Sequence, residues 1–350
     1  MVADLFDGGP LAVSVSSPIR VLVTGGQGQL GRDLGEVLAG GVPDGGVADD
    51  GSGILADLTP GRCEVLSTDI DTLDVVDRGA VRSVVDGFRP DLVLHGGAYT
   101  AVDLCESDPD TAFAVNSMGT RNIAEATAAA GAHLVYVSTD YVFDGSLDRP
   151  YREWDRTNPC SVYGRSKLGG ELEVRAICGA SATVVRTAWV SGAHGANMVK
   201  TVLRLAAADP DGELRFVDDQ HGCPTFTADL ARAVIRLALD RRPGTFHVTN
   251  QGATTWFGFA QATLAAAGGD PGRVKPIATT DLTPPRPAPR PANSRLDNAA
   301  LRLAGLPLLP EWTESLGRLV RTLAPGTGSA RATISRDESV PVPPGEGADR

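Results

Sequence analysis

Short apolar, β-branched runs alternate along the chain with stretches of helical period. Residues 19–23 (Ile-Arg-Val-Leu-Val) read as a strand and pass straight into Thr24-Gly25-Gly26-Gln27-Gly28-Gln29-Leu30-Gly31, after which a helical stretch extends to about Leu38. Further strands are expected at 63–67, at 92–98 after Arg89-Pro90-Asp91, at 134–138 after Gly131-Ala132-His133, and at 183–186. The runs at 92–98 and 134–138 are apolar enough for burial on both faces, and residues 109–130 between them read as an Ala-rich helix. Strands separated by helical stretches predict an α/β fold, a doubly wound parallel sheet of Rossmann type with right-handed crossovers.

After Trp189 the pattern loosens into a helix at 196–208, a strand at 214–217, a helix at 227–240 and a proline-rich stretch at 284–291. The expected organisation is a nucleotide-binding domain at 19–190 and a smaller C-terminal lobe at 191–324 that sends segments back to it. Residues 40–61, rich in Gly, Asp and Pro, read as a flexible surface insertion, and 1–18 and 325–350 as disordered termini. No internal repeat is apparent.

Composition narrows the partners. With 32 Lys+Arg against 43 Asp+Glu and a net charge of −11, the 350-residue chain is no basic nucleic-acid binder. No run approaches the roughly 20 apolar residues that span a bilayer, and the first 18 residues lack the pattern of a signal peptide, so no membrane partner and a cytoplasmic location are expected. Five scattered cysteines and five histidines show neither disulfide nor metal-ligand spacing, so no metal is expected.

Three features carry chemistry. Gly25-x-x-Gly28-x-x-Gly31 places glycine where a chain turns tightly off a strand, where backbone approaches a pyrophosphate, and where the next helix packs close to the sheet. Asp69, at the end of the second strand, suits the adenosine ribose of NAD(H), whereas Arg32 suits the additional phosphate of NADP(H). Tyr163-Gly164-Arg165-Ser166-Lys167 puts a phenol and an ammonium on one helix face, where the cation lowers the phenol pKa. Thr139, in Ser138-Thr139-Asp140-Tyr141-Val142-Phe143-Asp144-Gly145 at the carboxyl end of a strand, can hydrogen-bond a carbonyl under reduction. Only three lysines exist, Lys167, Lys200 and Lys275, and Lys200 is a candidate to meet a diphosphate.

The glycine turn together with Tyr163-x-x-x-Lys167 resembles the extended short-chain dehydrogenase/reductases. Gly28-Gln29-Leu30-Gly31, Ala98-Tyr99-Thr100-Ala101-Val102-Asp103-x-x-Glu106, the Ser138–Gly145 run, Val162-Tyr163-Gly164-x-x-Lys167, Arg186-Thr187-x-Trp189 and Asp219-Gln220-x-Gly222-x-Pro224-Thr225 are together similar to the dTDP-4-dehydrorhamnose reductase family, over roughly 19–320. The resemblance implies NADPH-dependent reduction, with NADH left open, of the C4 keto group of a dTDP-sugar. It implies that Tyr163 protonates the alkoxide, Lys167 holds the nicotinamide ribose and tunes Tyr163, and Thr139 polarises the carbonyl. Gly25, Gly28, Gln29, Leu30 and Gly31 would meet the pyrophosphate, Asp69 the ribose, Asp74 and Val75 the adenine side, and Ala98, Tyr99 and Thr100 the cofactor flank. Asp140 and Trp189 would contact the sugar, with the Trp189 indole available for stacking.

Two departures stand out. His95-Gly96-Gly97 replaces the more usual Asn followed by alanines. Some members hold magnesium through interface glutamates, and the one position that aligns carries Asp33, so magnesium and the choice between monomer and homodimer stay open. The alternatives are another nucleotide-sugar enzyme of the superfamily, a 4-epimerase or 4,6-dehydratase, and a non-catalytic subunit like the methionine adenosyltransferase β subunit. Retention of Thr139, Tyr163 and Lys167 together argues against the last.

Overall fold

The computed structural model describes residues 17–42, 58 and 60–324. Apart from residues 17, 18, 40–42, 58, 60 and 61, the expectations for 1–18, 40–61 and 325–350 lie outside the described residues.

Six parallel strands form the central sheet: β1 (Ile19–Thr24), β2 (Cys63–Thr68), β3 (Leu92–His95), β4 (His133–Thr139), β5 (Ala182–Thr187) and β6 (Gly244–His247), in the order β6-β5-β4-β3-β1-β2. The chain runs outward from β1 to β2 and then returns to the other side of β1, so the crevice beyond the carboxyl ends of β1 and β3 is the switch point where ligands gather in such sheets.

The strands are apolar throughout because the sheet is covered on both faces. Val21, Val23, Leu94, Val135 and Val185 face a core shared with helices Gln29–Leu38 and Thr227–Leu239. Leu22, Val93, Leu134, Tyr136 and Val184 face the other core, under helices Arg78–Phe88, Thr120–Ala129 and Val162–Cys178. Successive residues alternate between the two cores, as the period of a strand requires. Each such side chain contributes about 1.5–3 kcal/mol when fully buried.

Three expected elements differ in detail. The strand at 92–98 ends at His95, because Gly96 and Gly97 turn back onto β1, with Gly96 N–H donating to the Thr24 carbonyl and Gly97 N–H to its hydroxyl. The helix at 109–130 is broken into Pro109–Phe113, a π-helical turn Ala114–Gly119, and Thr120–Ala129. The π turn aims Asn116 so that it holds both the N–H and the carbonyl of Tyr99 and the hydroxyl of Ser166. The helix bearing Tyr163 begins at Val162, capped by Ser161 on Gly164 N–H and by Glu106 on Val162 N–H.

Beyond β5 the chain builds short strand pairs (Leu214–Val217 with Val274–Ile277, His221–Gly222 with Thr254–Thr255) and helices Met198–Ala208, Trp256–Ala266 and Trp312–Leu323 around Val199, Phe226, Phe259, Trp312 and Leu316. Two segments of this stretch join the sheet domain instead. Helix Thr227–Leu239 packs on Gln29–Leu38, and β6 completes the sheet beside β5. The five cysteines are free thiols, and no helix among the described residues is long and apolar enough to cross a membrane.

Candidate active site

A cleft of about 830 Å³ opens at the carboxyl ends of the strands. Its floor is the glycine turn. Gly25 has φ +71°, and a Cβ there would lie 2.7 Å from Gly97 N, so the turns after β1 and β3 meet at a contact only glycine permits. A Cβ on Gly31 would lie 2.1 Å from the Gly25 carbonyl oxygen, which fixes how closely helix Gln29–Leu38 docks. That helix starts at Gly28 with no side-chain cap, and Gly28, Gln29, Leu30 and Gly31 all line the cleft, so its first amides suit an anion. The cradle therefore fits a pyrophosphate. The Gln29 side chain points elsewhere: its amide bonds Gly192 N–H, Asn197 and the Ala196 carbonyl, tying the 192–197 loop to the glycine turn.

Asp69 lines the cleft beyond β2, and its carboxylate accepts from Gln27 N–H at 2.9 Å and Ile70 N–H at 2.8 Å. Exposed Arg32 donates from Nε to the Gln27 carbonyl. The two residues with opposite implications for the cofactor thus hold the two peptides on either side of Gln27. Ile70, Leu73 and Val75 form an apolar wall beside them. Asp74 is outside the lining, its carboxylate accepting from Val76 N–H. Ala98, Tyr99 and Thr100 line the opposite wall.

At the far end β4 delivers Thr139 and Asp140, and helix Val162–Cys178 delivers Tyr163 and Lys167, all to the same cleft. The Thr139 hydroxyl donates to the Asp140 carboxylate at 2.9 Å and accepts from Tyr141 N–H, with the Tyr163 phenol lining the cleft beside it. Burial lifts Asp140 to about 6, and its second carboxylate oxygen, buried in the cleft, has no partner. Lys167 Nζ donates to the Val137 carbonyl at 2.8 Å and sits 4.2 Å over the Tyr136 ring; burial lowers it to about 7.

The expected lowering of the Tyr163 pKa by Lys167 does not occur in this arrangement. The ammonium is committed to Val137, and burial, assisted by Asp140, raises the phenol well above its usual value against the opposing influence of Thr139. Tyr163 is accordingly a neutral phenol at pH 7, the state a proton donor needs. Tyr141 meets its ring edge-on at 5.7 Å.

Several groups that organise this end carry no distinctive local pattern. Glu171, one turn beyond Lys167, is fully buried and accepts from Ser138 Oγ, next to Thr139, and from Arg186. His95 bridges the hydroxyls of Thr24 and Thr120, and because Thr120 already donates to the Asn116 carbonyl, the imidazole is assigned as donating from Nε2 and accepting at Nδ1. Burial and Lys167 push it down to about 3, so it stays neutral. Asp103, in the motif with Tyr99, anchors Arg290 and the Ala288 amide of the proline-rich stretch.

Trp189 lines the cleft with φ +48°, an uncommon backbone for an indole-bearing residue. It is not an open platform. Trp256, which local patterning did not single out, stacks on it with ring centroids 3.5 Å apart and planes 6° apart. Lys200 does not reach the cleft: its Nζ donates to the carbonyls of Ala193 and Gly195 at 2.7 Å each. Asp33, Glu36 and His194 bring one ligand atom each within 4.8 Å of one another, outside the cleft. The set is mixed, since magnesium prefers oxygen donors and imidazole suits zinc, copper or nickel.

Residues 19–324 match the family described as RmlD substrate binding domain. A dTDP-4-dehydrorhamnose reductase of Streptomyces griseus is 43% identical over 302 residues, covering 85% of this chain and 91% of its own length. Among solved structures, the dTDP-4-dehydrorhamnose reductase ortholog of Clostridium acetobutylicum is 38% identical with a TM-score of 0.77, over 87% of this chain and 99% of that one. The dTDP-4-dehydrorhamnose reductase of Bacillus anthracis, solved in complex with NADP, is 35% identical with a TM-score of 0.76, over 86% of this chain and 98% of that one.

Proposed function

This chain belongs to the RmlD substrate binding domain family, and on that premise we propose that it is a dTDP-4-dehydrorhamnose reductase, an oxidoreductase that reduces the C4 keto group of dTDP-4-dehydro-β-L-rhamnose to give dTDP-β-L-rhamnose. The observation that carries the reading is the convergence of Thr139, Tyr163 and Lys167 with the glycine turn in one cleft. Relatives named for this reaction at 35–43% identity support it over an epimerase or dehydratase.

A bound reduced nicotinamide supplies the hydride that C4 receives. The chain's own groups do the rest. Tyr163 donates a hydrogen bond to the sugar's O4, joined by Thr139 when its hydroxyl turns from Asp140 to O4, and as C4 is reduced Tyr163 gives its phenolic proton to O4, leaving a phenolate that solvent reprotonates. Burial raises the phenol pKa, so the proton is present to be given and transfers only as charge develops on O4. Lys167, lining the same cleft, suits the nicotinamide ribose. Asp140 accepts the Thr139 hydroxyl hydrogen until O4 takes it, and its unpartnered oxygen suits a sugar hydroxyl. NADPH is the reductant in this reading, supported by exposed Arg32 beside Gln27 and by the NADP complex of the Bacillus anthracis relative.

The test is loss of reduced-nicotinamide absorbance with enzymatically generated dTDP-4-dehydrorhamnose, using NADPH and NADH in parallel. Stoichiometric oxidation by wild type is expected, with kcat for Tyr163→Phe lower by about 10²–10⁴ and cofactor binding retained. A folded protein that oxidises neither cofactor overturns the reading.

A further inference from the structure

The aromatic pair at the sugar end of the cleft assigns a role to Trp256. Trp189 follows Thr187, and Thr187 is the register partner of Thr139 across β4 and β5. The pair therefore stands next to the acid–base group, where the reacting hexose sits, and not at the distant nucleoside.

Both faces of Trp189 are occupied. Trp256 lies parallel on one of them at 3.5 Å. Gly222 lies on the other: a Cβ there would fall 2.2 Å from Cε2, 2.5 Å from Nε1 and 2.6 Å from Cζ2, distances that put it above the ring and not beside its edge. All three nearest atoms belong to Trp189, which excludes Gly222 from the face that Trp256 covers. Phe259 meets both indoles edge-on, 6.4 Å from Trp189 and 6.0 Å from Trp256, so it packs beside the stack and not on the outer face of Trp256. Trp256 is half-buried and lines the same cleft as Tyr163. Trp189, held at a positive φ between Gly222 and Trp256, is the backing of this wall.

We propose that the outer face of Trp256 is the aromatic platform on which the nucleotide sugar's 6-deoxyhexose ring packs, with Trp189 as its rigid support. A deoxyhexose offers a C–H-rich face and a methyl group in place of a hydroxymethyl, the chemistry an indole face accommodates. Trp256 thus determines affinity for the sugar while leaving the cofactor end untouched. The inference rests on the reductase reading for the identity of the sugar.

Two variants separate platform from packing. Trp256→Leu keeps apolar volume against Phe259 and Trp189 but loses the flat face; Trp256→Phe keeps a face. Steady-state kinetics with dTDP-4-dehydrorhamnose and NADPH varied separately, and calorimetric titration with dTDP-rhamnose, are run on both and on wild type. For Trp256→Leu the sugar KM and the dTDP-rhamnose Kd rise about tenfold with the NADPH KM within about twofold, and Trp256→Phe recovers most of the loss. Unchanged sugar KM and Kd in Trp256→Leu, or equal losses for sugar and cofactor, overturn the proposal. If wild type binds dTDP-rhamnose but turns over no substrate, the reductase reading fails while the titration still decides the platform.

Discussion

Arg186 grips Glu171 with two parallel hydrogen bonds of 2.8 Å, Nε to one carboxylate oxygen and Nη2 to the other, with the two side chains 2% and 0% exposed. The pair lies directly behind the catalytic strand, because Ser138 Oγ donates to the same carboxylate at 2.7 Å. It joins β5, β4 and the helix of Tyr163 and Lys167 at one point. Removing one member strands the other charge in the core, so Glu171→Gln and Arg186→Met each cost about 3–5 kcal/mol. The Glu171→Met/Arg186→Met double variant, which leaves no unpaired charge in the core because Arg175, the other partner of Glu171, is 43% exposed, is expected to be more stable than either single variant. Arg186 holds the Glu171 pKa below its usual value against burial, so the contribution of the pair is present at neutral pH and lost as pH falls below the ordinary carboxylate range. Urea unfolding at pH 7 and pH 4 measures both effects; single variants as stable as wild type at pH 7 would contradict the assignment.

Asp140 presents the opposite sign. Its folded pKa is raised to about 6 by burial, which outweighs the lowering influence of Ser294, Thr139 and the Asp140 and Tyr141 amides. A raised carboxylate makes folding less favourable as pH climbs from its unfolded value through about 6. Asp140→Asn is therefore expected to be more stable than wild type at pH 8, by up to about 3 kcal/mol, and less active. In wild type, kcat/KM rises as pH passes upward through about 6, where the carboxylate becomes able to accept a hydrogen bond from a sugar hydroxyl. Asp140→Asn should lack that limb. A pH profile of the variant that superimposes on wild type would remove Asp140 from the mechanism.

Arg32 and Asp69 divide the cofactor's adenosine end. The Asp69 carboxylate is engaged by the Gln27 and Ile70 amides, whereas the Arg32 guanidinium is exposed and bonded only through Nε to a carbonyl among its described contacts. Arg32→Ala is expected to raise the KM for NADPH by about tenfold with little change for NADH. Equal changes for both cofactors would show that Arg32 does not meet the 2′-phosphate.

The apolar runs of β1 to β5 and the glycine turn were legible because local periodicity and glycine spacing report directly on burial and turn geometry. β6 was not recognised: Gly244-Thr245-Phe246-His247 is too short and mixed to stand out, and it is a strand because β5 offers it an edge. The break of the 109–130 helix was equally hidden, since nothing in Ala114-Val115-Asn116 announces that Asn116 must reach Tyr99 and Ser166.

Within the site, Thr139, Tyr163 and Lys167 were identified by type and spacing and Asp140 through the family resemblance, and the cleft brings them together. Their electrostatics were not legible. Charge proximity alone suggested that Lys167 would lower Tyr163, but desolvation depends on how many atoms from other elements surround a group, and here it dominates. Trp189 could be named as an aromatic near a strand end, yet whether its face was open depended on Gly222 and Trp256, 33 and 67 residues further along the chain. The amino-acid sequence by itself determined the layered fold, the anion-binding turn and the identity of the acid–base groups, because these follow from short-range pattern and side-chain chemistry. The protonation states, the Glu171–Arg186 clamp and the Trp189–Trp256 stack were decided only by the tertiary structure, because each is set by contacts between residues that the chain holds apart.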